Sequence, residues 1–68
     1  MKNLFASRLK ELLEENHLSK RKLAKEVGVS AASISDWTNG KIQPAAESIY
    51  VIAQYFNVSS DYLLGLED

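Results

Sequence analysis

The sequence has no cysteine, a single histidine and a single proline among its 68 residues. Without cysteine the chain forms no disulfide and no thiolate metal site, and His17 alone cannot supply the ligands that zinc requires. No apolar run approaches the roughly 20 residues of a membrane-spanning helix, and charged residues appear too early for a signal peptide. We therefore expect one domain over residues 1–68 in a reducing cytoplasm, with no metal, cofactor, membrane or small-molecule ligand.

Patterns that carry catalysis are also missing. The sequence shows no nucleophile–base pair, no cluster of metal ligands and no glycine-rich phosphate loop. His17 follows the first apolar helical stretch, so we place it at a helix C-terminus, where the dipole favours positive charge, and not in a catalytic role. We do not expect an enzyme.

Apolar residues recur at helical spacing in five short stretches. The predicted helices cover residues 3–16, 20–27, 31–38 and 46–56, followed by a short last helix that carries Tyr62, Leu63 and Leu64. In the first helix we expect Arg8 to stay in solvent, opposite an apolar side formed by Leu4 or Phe5, Leu9, Leu12 and Leu13. Ser19, Ser30 and Ser59 stand at N-cap positions, and Asn57 and Gly65 at helix ends. A chain this short buries only about 60% of its extended surface, so its core must be compact and regular. We predict an all-α fold of five short helices.

The stretch from Ser19 to Asn39 has the pattern of a helix-turn-helix. Gly28 can adopt the left-handed conformation that ends a helix, so the chain can turn after Val27 and restart at Ser30. Apolar residues that share one face of each helix are expected to be buried together: Leu23, Ala24 and Val27 in the first, and Ala31, Ile34 and Trp37 or Thr38 in the second. Trp37 is expected in the core and not as a platform for a base.

The net charge of −1 conceals an uneven distribution. All eight Lys and Arg lie at or before Lys41, whereas residues 42–68 contain four acids and no base. Four basic residues and no acid lie between Ser19 and Lys25. Such a chain can present one positive face. Lysine and arginine side chains at the start of one helix, next to serines on the following helix, are suited to binding phosphate. We expect weak non-specific binding to nucleic acid with a strong salt dependence.

The residues after the third predicted helix have the pattern of a loop followed by an amphipathic fourth helix. Asn39 and Gly40 tolerate positive φ and should end the preceding helix, and Ile42 is expected to point inward. In the fourth helix, the predicted core face is Ile49, Ile52, Ala53 and Phe56. The remaining apolar residues Tyr50, Val51 and Tyr55 cannot all reach that core, so one or two of them should form an exposed patch.

These residues together resemble the phage-repressor and Cro type of helix-turn-helix domain, also called the xenobiotic-response-element family. The resemblance rests on RLKELL (8–13), LSKRKLAKEVGVSAASISDWTNGK (18–41), Pro44 and IYVIAQYFNVSSDYLLG (49–65). It implies a lambda-repressor-like fold in which the second and third helices bind DNA, usually as a dimer on a two-fold operator. The docking geometry is taken over from that family.

The resemblance also assigns contacts with DNA. It places Lys20 against a phosphate, and Ala31, Ala32 and Asp36 towards base edges. The complete predicted set is Ser19, Lys20, Arg21, Ser30, Ala31, Ala32, Ser33, Ser35, Asp36, Asn39, Lys41 and Gln43. The alanines offer only methyl contact with thymine, and Asp36 can accept from cytosine N4, so specificity should also depend on DNA shape.

The chain departs from the family at a pair of positions. Leu13 and Thr38 stand where many members pair an arginine with a glutamate. We expect packing to replace that polar contact here.

Two functions remain after an enzyme is set aside. The first is a sequence-specific transcription regulator of phage or bacterial type, a repressor that occludes a promoter as a dimer. Either a core cap or a contact with a second copy could be formed by Tyr62, Leu63 and Leu66, and we expect the dimer contact. The alternative is an antitoxin-like or adapter domain whose main role is to bind a protein partner. That partner would use the patch of Tyr50, Val51 and Tyr55.

Overall fold

In a computed structural model, which describes residues 4–67, the chain forms five α-helices. They are α1 (Phe5–Glu15), α2 (Lys20–Val27), α3 (Ala31–Thr38), α4 (Ala46–Phe56) and α5 (Ser60–Leu64). The predicted five-helix, all-α fold is confirmed, and α2, α3 and α4 have the predicted bounds. The expected start of α1 at residue 3 lies outside the described residues. None of the helices in residues 4–67 is long and apolar enough to cross a membrane.

Three serines begin helices by the same contact. The hydroxyl oxygens of Ser19, Ser30 and Ser59 each accept a hydrogen bond from the backbone N–H three residues later, at 3.0, 3.1 and 2.9 Å. Each bond satisfies a donor that the first turn of a helix leaves free, so a single residue type fixes three helix starts.

The helix ends follow the prediction, including the end of α3 at Asn39 and Gly40. Gly28 and Asn57 adopt left-handed conformations, with φ of 78° and 58°. Asn39, by contrast, stays right-handed at φ −88°, and Gly40 makes the left-handed turn one residue later at φ 70°. His17 follows the end of α1, as expected, but with a φ of 51° that the sequence did not indicate.

One hydrophobic core receives side chains from all five helices. Its largest fully buried members are Phe5, Leu9, Leu23, Ile34, Ile52 and Leu63. Trp37 is buried as predicted and packs edge-to-face against Phe5, with ring centroids 6.3 Å apart. Ala31 is exposed, so its predicted burial beside Ile34 is wrong: the inward face of α3 begins one turn later.

Leu13 and Thr38 are both buried. Packing therefore replaces the ion pair that many members of the resembled family have at these two positions. The Thr38 hydroxyl donates to the Ser35 carbonyl at 3.0 Å, which satisfies its proton within the same helix. A buried hydroxyl that bonds its own helix needs no partner from another element.

The two ends of the described chain are joined through Arg8. Its guanidinium donates to the carbonyl oxygens of Tyr62 and Glu67 at 2.9 and 3.0 Å, and lies 4.3 Å from the Tyr62 ring centroid. The prediction that Arg8 is solvated is wrong, because hydrogen bonds and a cation–π contact hold it half-buried against the end of α5.

Gly65 is closely packed, and replacing it should be costly. A Cβ at Gly65 would lie 2.7 Å from Leu4 Cγ, and the residue has φ 86°. Gly65→Ala should lose about 1 to 2 kcal/mol of unfolding free energy from the left-handed backbone and a further ~1 to 3 kcal/mol from overpacking. Urea unfolding measures both losses.

Gly40→Ala is the matched control, since Gly40 has φ 70° but no neighbour within 4 Å of the added carbon. It should lose only the backbone contribution. Equal losses at both positions would contradict the close contact with Leu4.

Candidate nucleic-acid interface

The first turn of α2 concentrates positive charge. Ser19 caps this helix, and Lys20, Arg21 and Lys22 follow it, all exposed. The N-terminus of a helix carries partial positive charge, so three cations there raise the electrostatic energy of the free domain. An external anion relieves that repulsion and can also bind the free backbone N–H groups. This end of α2 is therefore suited to phosphate.

The outer face of α3 is small and short of cations. Ala32, Ser35, Asp36 and Asn39 follow one another at i, i+3, i+4 and i+7, which places them on one side of the helix. Asp36 is half-buried, whereas Ala31 and Ala32 are exposed. These short side chains let the helix backbone approach a partner closely.

Two serines at the start of α3 form a hydrogen-bonded pair. Their hydroxyl oxygens, Ser30 Oγ and Ser33 Oγ, are 2.9 Å apart. Ser30 Oγ already accepts from the Ser33 backbone N–H at 3.1 Å. If Ser30 donates its proton to Ser33, the Ser33 hydroxyl is left to donate outward. The pair can thus present a positioned donor beside the exposed alanines.

The loop after α3 is held against the end of that helix. The backbone N–H of Lys41 donates to the Asp36 carbonyl at 2.9 Å, and the side chains of Lys41 and Gln43 are exposed. Ile42 is 53% exposed, so its predicted inward orientation is wrong. The backbone N–H groups of Lys41 and Ile42 both point to the Asp36 carbonyl, so the chain folds back against the end of α3 and leaves the Ile42 side chain outside the core.

The predicted DNA-binding residues all lie within the described chain and none is buried. Ser33, Ser35 and Asp36 are partly buried, and the other members of the set are exposed. The set occupies the start of α2, the outer side of α3 and the loop that follows, and α2 packs against α3. Among residues 4–67 there is no group of three or more His, Cys, Asp or Glu suited to a metal ion.

Only part of the predicted dimer contact lies on the surface of the domain. Leu63 is fully buried in the core of its own chain, so its assignment to a surface is wrong. Tyr62 is half-buried under Arg8, and Leu66 is 70% exposed. Leu4, which sequence reasoning left as a core alternative to Phe5, is 43% exposed and packs beside Gly65. Leu4 and Leu66 are the exposed apolar residues at this end.

The sequence is similar to that of known helix-turn-helix proteins. The sequence model of a family described as helix-turn-helix matches residues 9–63. The chain is 36% identical over 64 residues to the HTH-type transcriptional activator BcrR of Enterococcus faecalis, and 28% identical over 65 residues to the uncharacterized HTH-type transcriptional regulator YobD of Bacillus subtilis (strain 168). These alignments cover 94% and 96% of this chain but only 31% and 58% of the relatives.

Solved structures agree with the sequence comparison. A transcriptional regulator from Listeria innocua matches 100% of this chain and 64% of its own, at 26% identity and a TM-score of 0.90. The P22 c2 repressor protein in complex with synthetic operator 9T matches 97% of this chain and 100% of its own, at 27% identity and a TM-score of 0.87. With a family match that spans most of its length, the chain belongs to the Cro/C1-type helix-turn-helix family.

Proposed function

We propose that this chain is the sequence-specific, double-stranded DNA-binding domain of a cytoplasmic transcription regulator. The observation that carries the proposal is the exposed cluster of Lys20, Arg21 and Lys22 at the start of α2, whose first turn contains no acid, so that an external anion would offset the repulsion among the three cations. The P22 c2 repressor, which shares the fold, was solved with an operator, and this supports DNA as that anion.

In this proposal α3 enters the major groove and the start of α2 contacts the flanking phosphates. Lys41 and Gln43 reach phosphates from the following loop, and Ser33 donates from its hydrogen-bonded pair. Ala31 and Ala32 touch thymine methyl groups, which gives little direct readout. Affinity then comes mainly from phosphates, and much of the specificity comes from the shape of the DNA.

The chain acts as a homodimer on a two-fold operator and represses by covering a promoter. Two α3 helices must lie about 34 Å apart to enter successive major grooves on one side of B-DNA. The longest extent of the domain is 28 Å, which fits two copies that touch side by side. Sedimentation at micromolar concentration with operator present should show two chains per duplex. A monomer on every duplex would contradict the dimer.

The first test removes one phosphate contact. An operator is obtained by selecting bound sequences from random DNA, and fluorescence anisotropy then measures affinity at several salt concentrations. Lys20→Ala should bind more weakly, and its slope of log affinity against log salt should be smaller by about 0.9 per chain. The reason is that each lost phosphate contact releases one fewer counterion.

Lys25→Ala is the matched control because it removes the same charge from the last turn of the same helix. It should leave the salt slope almost unchanged. If both variants behave alike, only overall charge matters and the assigned orientation of α2 is wrong.

The second test concerns base preference. Asp36→Ala should change the preferred base at one position of the operator, because Asp36 is the acceptor on the outer side of α3 that can pair with cytosine N4. Selection from a library of operator variants measures the change. Asp61→Ala removes an equal charge from α5 and should not alter preference. An unchanged preference with Asp36→Ala would reject this role.

A further inference from the structure

A cleft lies between the α2–α3 turn and the first half of α4. Its volume is about 230 Å³, and its walls include Val27, Val29, Trp37, Val51 and Ile52. An apolar cavity of about 150 Å³ is enough to hold a benzene ring. The cleft can therefore take one aromatic or branched apolar side chain.

The outward side of α4 continues this apolar surface. Glu47, Tyr50, Val51, Gln54 and Tyr55 follow the i, i+3, i+4, i+7, i+8 spacing of one helix face. Tyr50 is 57% exposed and Tyr55 is 41% exposed, which confirms the predicted exposed patch. Val51 belongs both to this face and to the cleft wall. The cleft and the face thus form one surface, which we call the α4 surface.

The composition of the α4 surface is typical of a protein interface. Tyrosine is enriched at such interfaces because it gives a large contact area and a polar tip at a small entropic cost. The Tyr50 hydroxyl accepts from Gln54 Nε2 at 2.8 Å, which restrains both side chains before any partner arrives. A restrained side chain loses less freedom on binding.

Charge identifies the kind of partner. Among the described residues that line the cleft, Glu47 is the charged one, and residues 42–68 contain four acids and no base. The Glu47 carboxylate at the cleft repels phosphate and attracts a cationic side chain. The positive residues proposed to contact DNA all lie before residue 42. The α4 surface is thus chemically the opposite of the proposed DNA-binding surface.

We propose that the α4 surface binds a segment of a partner protein. The segment inserts an aromatic or branched apolar side chain between Val29, Trp37 and Val51, and places a lysine or arginine beside Glu47. The tyrosines pack along its remaining length. The domain then has two surfaces, one for nucleic acid and one for a basic, apolar peptide segment.

The experiment selects peptides from a random display library on the full 68-residue chain. Enriched sequences should contain an aromatic or branched residue next to Lys or Arg. Selected peptides without tryptophan are then titrated, because Trp37 is the chain's single tryptophan and its emission should shift when the cleft fills. Tyr50→Ala/Tyr55→Ala should weaken binding at least tenfold. Glu47→Gln should weaken it and reduce its salt dependence.

Glu11→Gln is the matched control, because it removes the same charge as Glu47→Gln from the exposed side of α1, and it should bind these peptides as the parent chain does. Circular dichroism confirms that each variant is folded. The proposal is overturned if no sequence is enriched, if the enriched peptides lack lysine and arginine, or if the tyrosine and Glu47 variants bind these peptides with the affinity of the parent chain. It is also overturned if the chain associates with itself and the double tyrosine variant abolishes that association, because a second copy would then occupy the surface.

Discussion

Replacing Ile34 with alanine should remove about 2 to 5 kcal/mol from the free energy of unfolding. The Ile34 side chain on α3 is fully buried and belongs to the same hydrophobic core as Leu23 and Trp37. A domain of this length is stabilised by only about 3 to 10 kcal/mol in total. The lost contacts and the cavity therefore consume much of the stability, and a large fraction of the variant should be unfolded at moderate temperature.

Ile42→Ala makes the same chemical change on a side chain that is 53% exposed. It should alter stability by less than about 0.5 kcal/mol. Urea unfolding followed by circular dichroism measures both variants, and the slope with denaturant shows whether the unfolded state has changed. Similar losses at the two positions would mean that Ile42 is buried in solution and that the loop after α3 is placed differently.

The features that sequence could predict are those that depend on near neighbours along the chain. The caps at Ser19, Ser30 and Ser59 each need only a residue three positions away, and all three formed as predicted. The turn at Gly28 depends on backbone freedom alone. The bounds of α2 and α3, which position the candidate interface, could be predicted because these local contacts mark where each helix begins and ends.

The errors concern features that depend on distant residues. Arg8 is half-buried because the end of α5 lies across it, and its partners are 54 and 59 residues away in sequence. Leu63 and Leu66 both carry an apolar side chain on or after a short last helix, and only packing against α1 and α4 decides that Leu63 is buried and Leu66 exposed. Helical spacing also placed Ala31 on the inward side of α3, where it is exposed, and could not show that Trp37 and Thr38 are both buried.

The candidate interface shows a second limit, because the direction of a short polar side chain is not set by spacing alone. The sequence could place Lys20, Arg21 and Lys22 on one helix turn, but not the hydrogen-bonded pair of Ser30 and Ser33, whose hydroxyls meet only once α3 is formed. The cleft beside α4 was not predictable either, because its walls come from α2, α3, α4 and the turn after α2.

Ala31→Glu should weaken operator binding about 100-fold or more while leaving the domain folded. Ala31 is the first residue of α3 and is exposed, so a longer side chain meets no core residue. A carboxylate at a helix N-terminus is favoured by the dipole, so stability should stay equal or rise slightly. Against DNA the same carboxylate meets phosphates and base acceptors, and such like-charge contacts cost several kcal/mol. Each 1.4 kcal/mol is about a tenfold loss of affinity.

Gln54→Glu is the matched control, since it adds an equal charge to the exposed side of α4. It changes the long-range attraction to DNA by a similar amount but places no carboxylate in the groove. Fluorescence anisotropy at one salt concentration should therefore show a small loss for Gln54→Glu and a large loss for Ala31→Glu. Thermal unfolding should show that both variants are folded. If the two losses are equal, α3 does not enter the groove, and the domain binds DNA only through the charge of α2.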